Sequence, residues 1–110
     1  MESDRFILER PLILQVEDDF IEIPAGFITD LISIPRFFDL FIDRDNEKFM
    51  RAAIAHDFLY QNTCYYNRIT SDKIFYALLR KEKVNFVACQ LMYYSVRIFG
   101  AQFYNDEGCI

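Results

Sequence analysis

The chain has no tryptophan and only one histidine, His56. Glycine, proline and cysteine occur three times each. So little Gly and Pro excludes a collagen-like, low-complexity or linker-rich chain. Cys64, Cys89 and Cys109 are odd in number and widely spaced. They form no C-x-x-C and no close Cys/His pair, so they give no zinc signature. Buried or free thiols in a reducing compartment are expected. Positive charge is also short: 12 Lys and Arg face 17 Asp and Glu, a net charge of −5. No nucleic acid is expected as a partner, because phosphate binding needs clustered cations. No apolar run approaches the roughly 18 residues of a membrane-spanning helix. The first residues include Glu2, Asp4 and Arg5 and lack the apolar core of a signal peptide. A soluble protein made in the cytoplasm is expected. A Gly-rich phosphate loop, a G-x-S-x-G elbow and an H-E-x-x-H pair are all missing.

What is present is apolar and aromatic. Hydrophobic residues make up 53% and aromatics 17%, with 12 Phe and 7 Tyr. The 110 residues form one expected domain, 1–110, with a core that needs no metal or disulfide staple. So many aromatics exceed what such an interior holds, so some should lie on a partner or ligand surface.

The N-terminal third reads as strand. Phe6 to Leu8 and Leu12 to Val16 are rich in strand formers, and Pro11 separates them. Glu17-Asp18-Asp19 predicts a turn, and Phe20 to Ile23 the returning strand. Residues 12–23 should form a β-hairpin, which needs further strand and helix cover to be stable. Gly26 permits a conformation other residues avoid. Thr29, Asp30 and Ser33 suit side-chain bonds to nearby backbone N–H groups in an ordered loop reaching Pro35. Pro35 is expected to open a short helical turn at residues 35–38.

Three helices follow. Phe49, Ala52, Ala53, His56 and Tyr60 recur at helical spacing over 47–60. Thr70 and Ser71 suit N-caps of a second helix over 70–83, with Asp72 in its first turn. Ile74, Phe75, Leu78 and Leu79 make its apolar stripe. Asn85 caps a third helix over 85–99, with Val87, Leu91, Tyr94 and Ile98 on one face, and Gly100 ends it. The expected class is α+β, an N-terminal antiparallel hairpin or small sheet packed on three α-helices.

Chemistry concentrates at Ala53-Ile54-Ala55-His56-Asp57-Phe58-Leu59-Tyr60. On a helix, His56 and Tyr60 share a face one turn apart. Histidine suits proton transfer near neutral pH. The first two helices are joined by a short connection and should pack antiparallel, which brings Asp72 to His56. A His56–Asp72 bond would fix the tautomer and leave the other ring nitrogen as a base. Asp57 would then be available for a divalent cation or a substrate group. Thr29, Asp30 and Arg68 would complete the polar cluster. The competing reading is structural: His56 is a core histidine, Asp72 a helix-dipole charge, and Arg68 its neutraliser.

These segments together resemble a known family. Gly26-Phe27-Ile28-Thr29-Asp30 with Ser33 and Pro35, His56-Asp57-Phe58-Leu59-Tyr60, Arg68 with Asp72, and Val96-Arg97-Ile98-Phe99-Gly100 come in order along the chain. The pattern is similar to tailed-phage and prophage proteins known only as domain of unknown function 1353. That resemblance implies a phage or prophage origin and a place in the bacterial host cytoplasm or on the virion. It implies no established activity. It also implies an aromatic after the closing glycine, here Phe103 or Tyr104. Secreted phospholipases offer a second likeness, in H-D-x-x-Y on one helix with an Asp from an antiparallel one. It would give His56 the role of base, Asp57 that of calcium ligand and Asp72 that of orienting carboxylate. This chain departs from that pattern in lacking the paired cysteines and the Gly-rich calcium loop. Two functions follow from these readings. One is a small hydrolase-like enzyme using His56, Asp72 and Tyr60. The other is a non-catalytic protein that binds a phage virion or host bacterial protein through an aromatic, acidic surface.

Overall fold

The computed structural model describes residues 6–29 and 47–105. The fold is α+β, with short antiparallel strands followed by three helices. Strands β1 (Phe6–Ile7), β2 (Leu12–Val16), β3 (Asp19–Ile23) and β4 (Ile28–Thr29) precede α1 (Glu47–Gln61), α2 (Arg68–Lys81) and α3 (Phe86–Phe99). A 3-10 turn at Gly100–Phe103 follows α3.

The hairpin forms where expected. Strands β2 and β3 pair from Leu12↔Ile23 to Val16↔Asp19, joined by the two residues Glu17 and Asp18. Glu17 takes a φ of 55°, as the first central residue of so tight a hairpin turn must. Alternation places Leu14, Ile21 and Ile23 inward and Ile13, Phe20 and Glu22 outward. Residues 6–8 do not widen the hairpin. They pair instead with β4, Phe6↔Thr29 and Ile7↔Ile28, as a second two-stranded sheet. Leu8 and Gly26 continue that ladder, and Gly26 has a φ of +91° that only glycine holds without strain.

Helix α1 is the centre of the molecule. Every residue from Ala52 to Tyr60 is buried, so the helix is enclosed on all sides. Ile54, Ala55, Phe58 and Leu59 pack against Leu14, Ile21 and Ile23 of the hairpin, with Ile74. Phe49, Ala52 and Ala53 pack against Phe75 and Leu79 of α2 and Cys89, Met92 and Val96 of α3. The alanines let these neighbours approach closely, as their small size predicts. Outside the core, Arg51 of α1 donates two hydrogen bonds to Glu82, at 3.0 and 2.8 Å, tying α1 to the end of α2.

Two helix boundaries differ from expectation, and both matter. Asn67, not Thr70 or Ser71, caps α2, its side chain accepting from the Thr70 N–H at 2.9 Å. The helix therefore starts at Arg68, two residues before the expected 70, and Asp72 is one turn deeper than a first-turn charge. Ser71 and Asp72 then face the core. At the other end α2 stops at Lys81. Lys83, with a φ of 64°, reverses the chain, while the Lys83 and Val84 N–H groups donate to Arg80 and Leu79 carbonyls. Helix α3 is capped by Asn85 as expected. It packs through Ala88, Cys89, Met92, Ser95 and Val96, so its Val87, Leu91, Tyr94 and Ile98 face is exposed.

The cysteines divide. Cys89 is a buried free thiol, held above its usual pKa by burial. Cys64 is disulfide-bonded, which corrects the expectation of free thiols at that position. Cys109 lies outside the described residues, as does the expected turn at 35–38.

Candidate functional site

The interior side of α1 carries a polar network built from three helices. His56, Tyr60 and Asp72 are each 0% exposed. His56 Nε2 lies 2.8 Å from Asp72 Oδ1. The Tyr60 hydroxyl donates to the same oxygen at 2.6 Å. Arg97 of α3 donates to Asp72 Oδ2 at 2.7 Å. Arg68 supports the cluster from below. Its Nε donates to the Tyr60 hydroxyl at 3.2 Å, and one terminal nitrogen donates to the Val96 and Arg97 carbonyls, each at 2.7 Å. Arg68 thus ties the first turn of α2 to the last turn of α3.

Helical spacing accounts for the assembly. His56 and Tyr60 lie four apart on α1, and their rings stack at 4.1 Å between centroids. Phe75 closes the other side of the imidazole at 4.7 Å. Arg68 and Asp72 are likewise four apart on α2. Because α1 and α2 run antiparallel, one end of each meets there.

Electrostatics decide the protonation pattern. Burial alone would raise the Asp72 pKa, but hydrogen bonds from His56, Tyr60 and Arg97 outweigh it and hold the carboxyl below its ordinary value. Asp72 is therefore a carboxylate, which can only accept, so Nε2 of His56 carries a hydrogen. Burial, and then the bond to Asp72, push the Tyr60 phenol far above its usual pKa and keep it neutral. The bond to Asp72 likewise raises the pKa of Arg97. The remaining ring atom, His56 Nδ1, is buried and has no hydrogen-bond partner among the described residues. The hydroxyls of Ser71 and Ser95 are buried and, among the described residues, unpartnered as well.

Of the residues expected at this site, His56, Asp72, Tyr60 and Arg68 come together. Thr29 is buried at the end of β4. Asp30 lies outside the described residues. Ahead of Thr29, the Phe27 ring meets Phe58 of α1 edge-on at 5.4 Å. Asp57 is buried and engaged. Among the described residues, no three His, Cys, Asp or Glu side chains gather closely enough to hold a metal ion.

Two residues were not expected here. Arg97 supplies a guanidinium donor to Asp72. Gly100 stays in a right-handed helical conformation, so it does not end α3 by reversing the chain. Its role is space: a Cβ there would lie 2.9 Å from the Tyr60 hydroxyl. Both stand in the Val96-Arg97-Ile98-Phe99-Gly100 segment, whose spacing was the available signal. Tyr104 then covers Tyr60 edge-on at 5.2 Å, the aromatic expected after the glycine.

The family model described as "Protein of unknown function (DUF1353)" matches residues 6–96. The chain belongs to that family. The match takes in every member of the network except Arg97. No curated protein and no solved structure matches the chain.

Proposed function

We propose that His56, Asp72 and Tyr60 form an acid–base site of hydrolase-like type, with His56 Nδ1 as the base. The observation that carries this reading is the unpartnered Nδ1 opposite an Nε2 already committed to a carboxylate. A histidine kept only for packing leaves a buried polar atom unsatisfied at a cost of about 1–3 kcal/mol. A base needs that atom unoccupied. In this reading Nδ1 takes a proton from water or a substrate hydroxyl, and Asp72 steadies the imidazolium that results. Tyr60 and Arg97 hold Asp72 in place and ionised. Because the imidazole is wholly buried, the base acts only when whatever covers it moves aside. No step in this reading uses a cation at Asp57. The second likeness noted above has the same logic of one ring nitrogen on a carboxylate and one left for chemistry. It supports the reading as an analogy of geometry only.

Complete burial of the network favours a second reading, in which the network is structural and the protein binds a phage virion or host bacterial protein. The outer hairpin face, with Ile13 and Phe20 exposed beside Glu22, supplies an aromatic, acidic surface for it.

One measurement separates the two. Diethyl pyrocarbonate acylates unprotonated imidazole, and His56 is the only imidazole present. The acid–base reading expects His56 to react in the native protein far faster than global unfolding allows. Reaction no faster than unfolding would leave only the structural reading. A panel of ester, amide and phosphodiester substrates then gives the activity test. Turnover lost in a folded His56→Gln variant supports the base, and turnover unchanged in that variant overturns it.

A further inference from the structure

The outer face of α3 is an apolar seam. Val87, Leu91, Tyr94 and Ile98 are all exposed, Ile98 at 68%, and they are spaced four, three and four residues apart. That alternation is the spacing with which one helix accepts the side chains of another. The only charged residue of α3 is Arg97, already held by Asp72. The seam is flanked on α2 by exposed cations. The Arg80 guanidinium sits 5.0 Å above the Phe86 ring at the start of α3. Lys73 joins Tyr76, Gln90, Tyr93 and Tyr94 around a hollow of about 250 Å³ beside the seam. Helices α2 and α3 carry one carboxylate between them, Asp72, and it is buried. A chain of net charge −5 thus presents a cationic, apolar face here.

We propose that this face docks an amphipathic helix of a partner protein, one whose apolar stripe is flanked by Asp or Glu. The seam spacing suits a helix, the hollow suits a side chain projecting from it, and the cations suit its carboxylates. A second copy of this chain does not fit face to face. It would bring the same cations and no carboxylate. A flat lipid surface leaves the hollow unfilled. The inference is independent of the acid–base reading, because none of the seam residues belongs to the network.

The test uses the full chain and synthetic helical peptides with Leu at the seam positions and either Glu or Lys at the flanking ones. The Glu peptide is expected to bind about fivefold to tenfold more tightly than the Lys peptide, with the preference shrinking as salt is raised. Amide shifts should map to α3. Leu91→Asp or Tyr94→Asp should abolish binding without altering the circular dichroism, since both side chains are exposed. Lys73→Glu combined with Arg80→Glu should reverse the preference. Equal affinity for the two peptides, or shifts confined to the hairpin, would overturn the proposal. So would stronger binding to anionic vesicles than to the Glu peptide. Self-association that Ile98→Asp removes would also overturn it, by assigning the face to a second copy.

Discussion

Asp72 is the acceptor at which the side chains of three helices converge. It is fully buried and accepts from His56, Tyr60 and Arg97. Asp72→Asn should cost about 3 kcal/mol, the lower end for breaking a buried ion pair, because Arg97 is partly exposed and can recover some solvent. Urea unfolding would measure this, with an unchanged slope against denaturant showing that the fold is kept. The pH dependence has a definite sign. The folded pKa of Asp72 lies below its unfolded value, so its contribution is complete above the unfolded pKa. It is lost as pH falls through the folded pKa. Wild type should therefore lose stability on acidification more steeply than Asp72→Asn. Gly100 offers a sharper test of geometry. Gly100→Ala should cost about 1–3 kcal/mol, because the fully buried Tyr60 ring has little room to yield. In a Tyr60→Phe background the nearest clashing atom is gone, so the same substitution should cost measurably less. Equal costs in both backgrounds would show that the hydroxyl contact is not the reason for the glycine.

At the scale of elements, the helix ends carry the information. Asn67 caps α2 three and four residues before Thr70 and Ser71, so Asp72 lies in the second turn, where it is buried. Lys83 closes the same helix in a left-handed conformation, with the paired carbonyl bonds and the apolar contact of Val84 that belong to this type of ending. A β-carbon is unfavourable there. Lys83→Gly should raise stability by about 0.5–1 kcal/mol despite the looser unfolded chain, since Lys83 holds no core contact. A thermal melt would show the gain. A loss would mean that the lysine side chain supplies an interaction worth more than the backbone strain.

Across the whole molecule, the chain returns to its own centre. The Asn105 N–H donates to the Tyr60 carbonyl at 2.9 Å, and the Thr63 hydroxyl donates to the Asn105 carbonyl at 2.6 Å. The Tyr104 hydroxyl donates to the Tyr66 carbonyl at 2.8 Å, and its ring lies against Tyr60. The segment after α3 thus clamps the end of α1 and the connection to α2, next to the network. Tyr104→Ala should cost about 1–3 kcal/mol through the lost ring contact and hydrogen bond. Hydrogen exchange should show the loosening at the end of α1 rather than in the hairpin. Charge is also distributed on this scale. Exposed Glu17, Asp18, Asp19 and Glu22 lie on the hairpin, while exposed Lys73, Arg80, Lys81 and Lys83 lie along and just beyond α2. The exposed carboxylates named here therefore lie on the hairpin, and the exposed cations lie on and beside α2.

Local pattern determined much of this protein before any tertiary contact is considered. Period-two alternation over 12–23 specifies the hairpin, because successive strand residues point to opposite faces. The four-residue spacing of His56 and Tyr60 places them together on one helix face, and the short connection after α1 brings Asp72 near. Tertiary structure decided what spacing cannot. Which of two competing faces of α3 is buried depends on the fit of small residues: Ala88, Cys89 and Ser95 let α3 approach closely, and the larger Leu91, Tyr94 and Ile98 are left outside. Asn67, and not Thr70 or Ser71, caps α2, and Ser71 and Asp72 are buried with Phe75 and Leu79. Arg97 and Gly100 joined the site only through packing, one as a donor to Asp72 and the other by leaving room for the Tyr60 hydroxyl. Neither effect can be read from neighbours in sequence, because each depends on the distance between two helices.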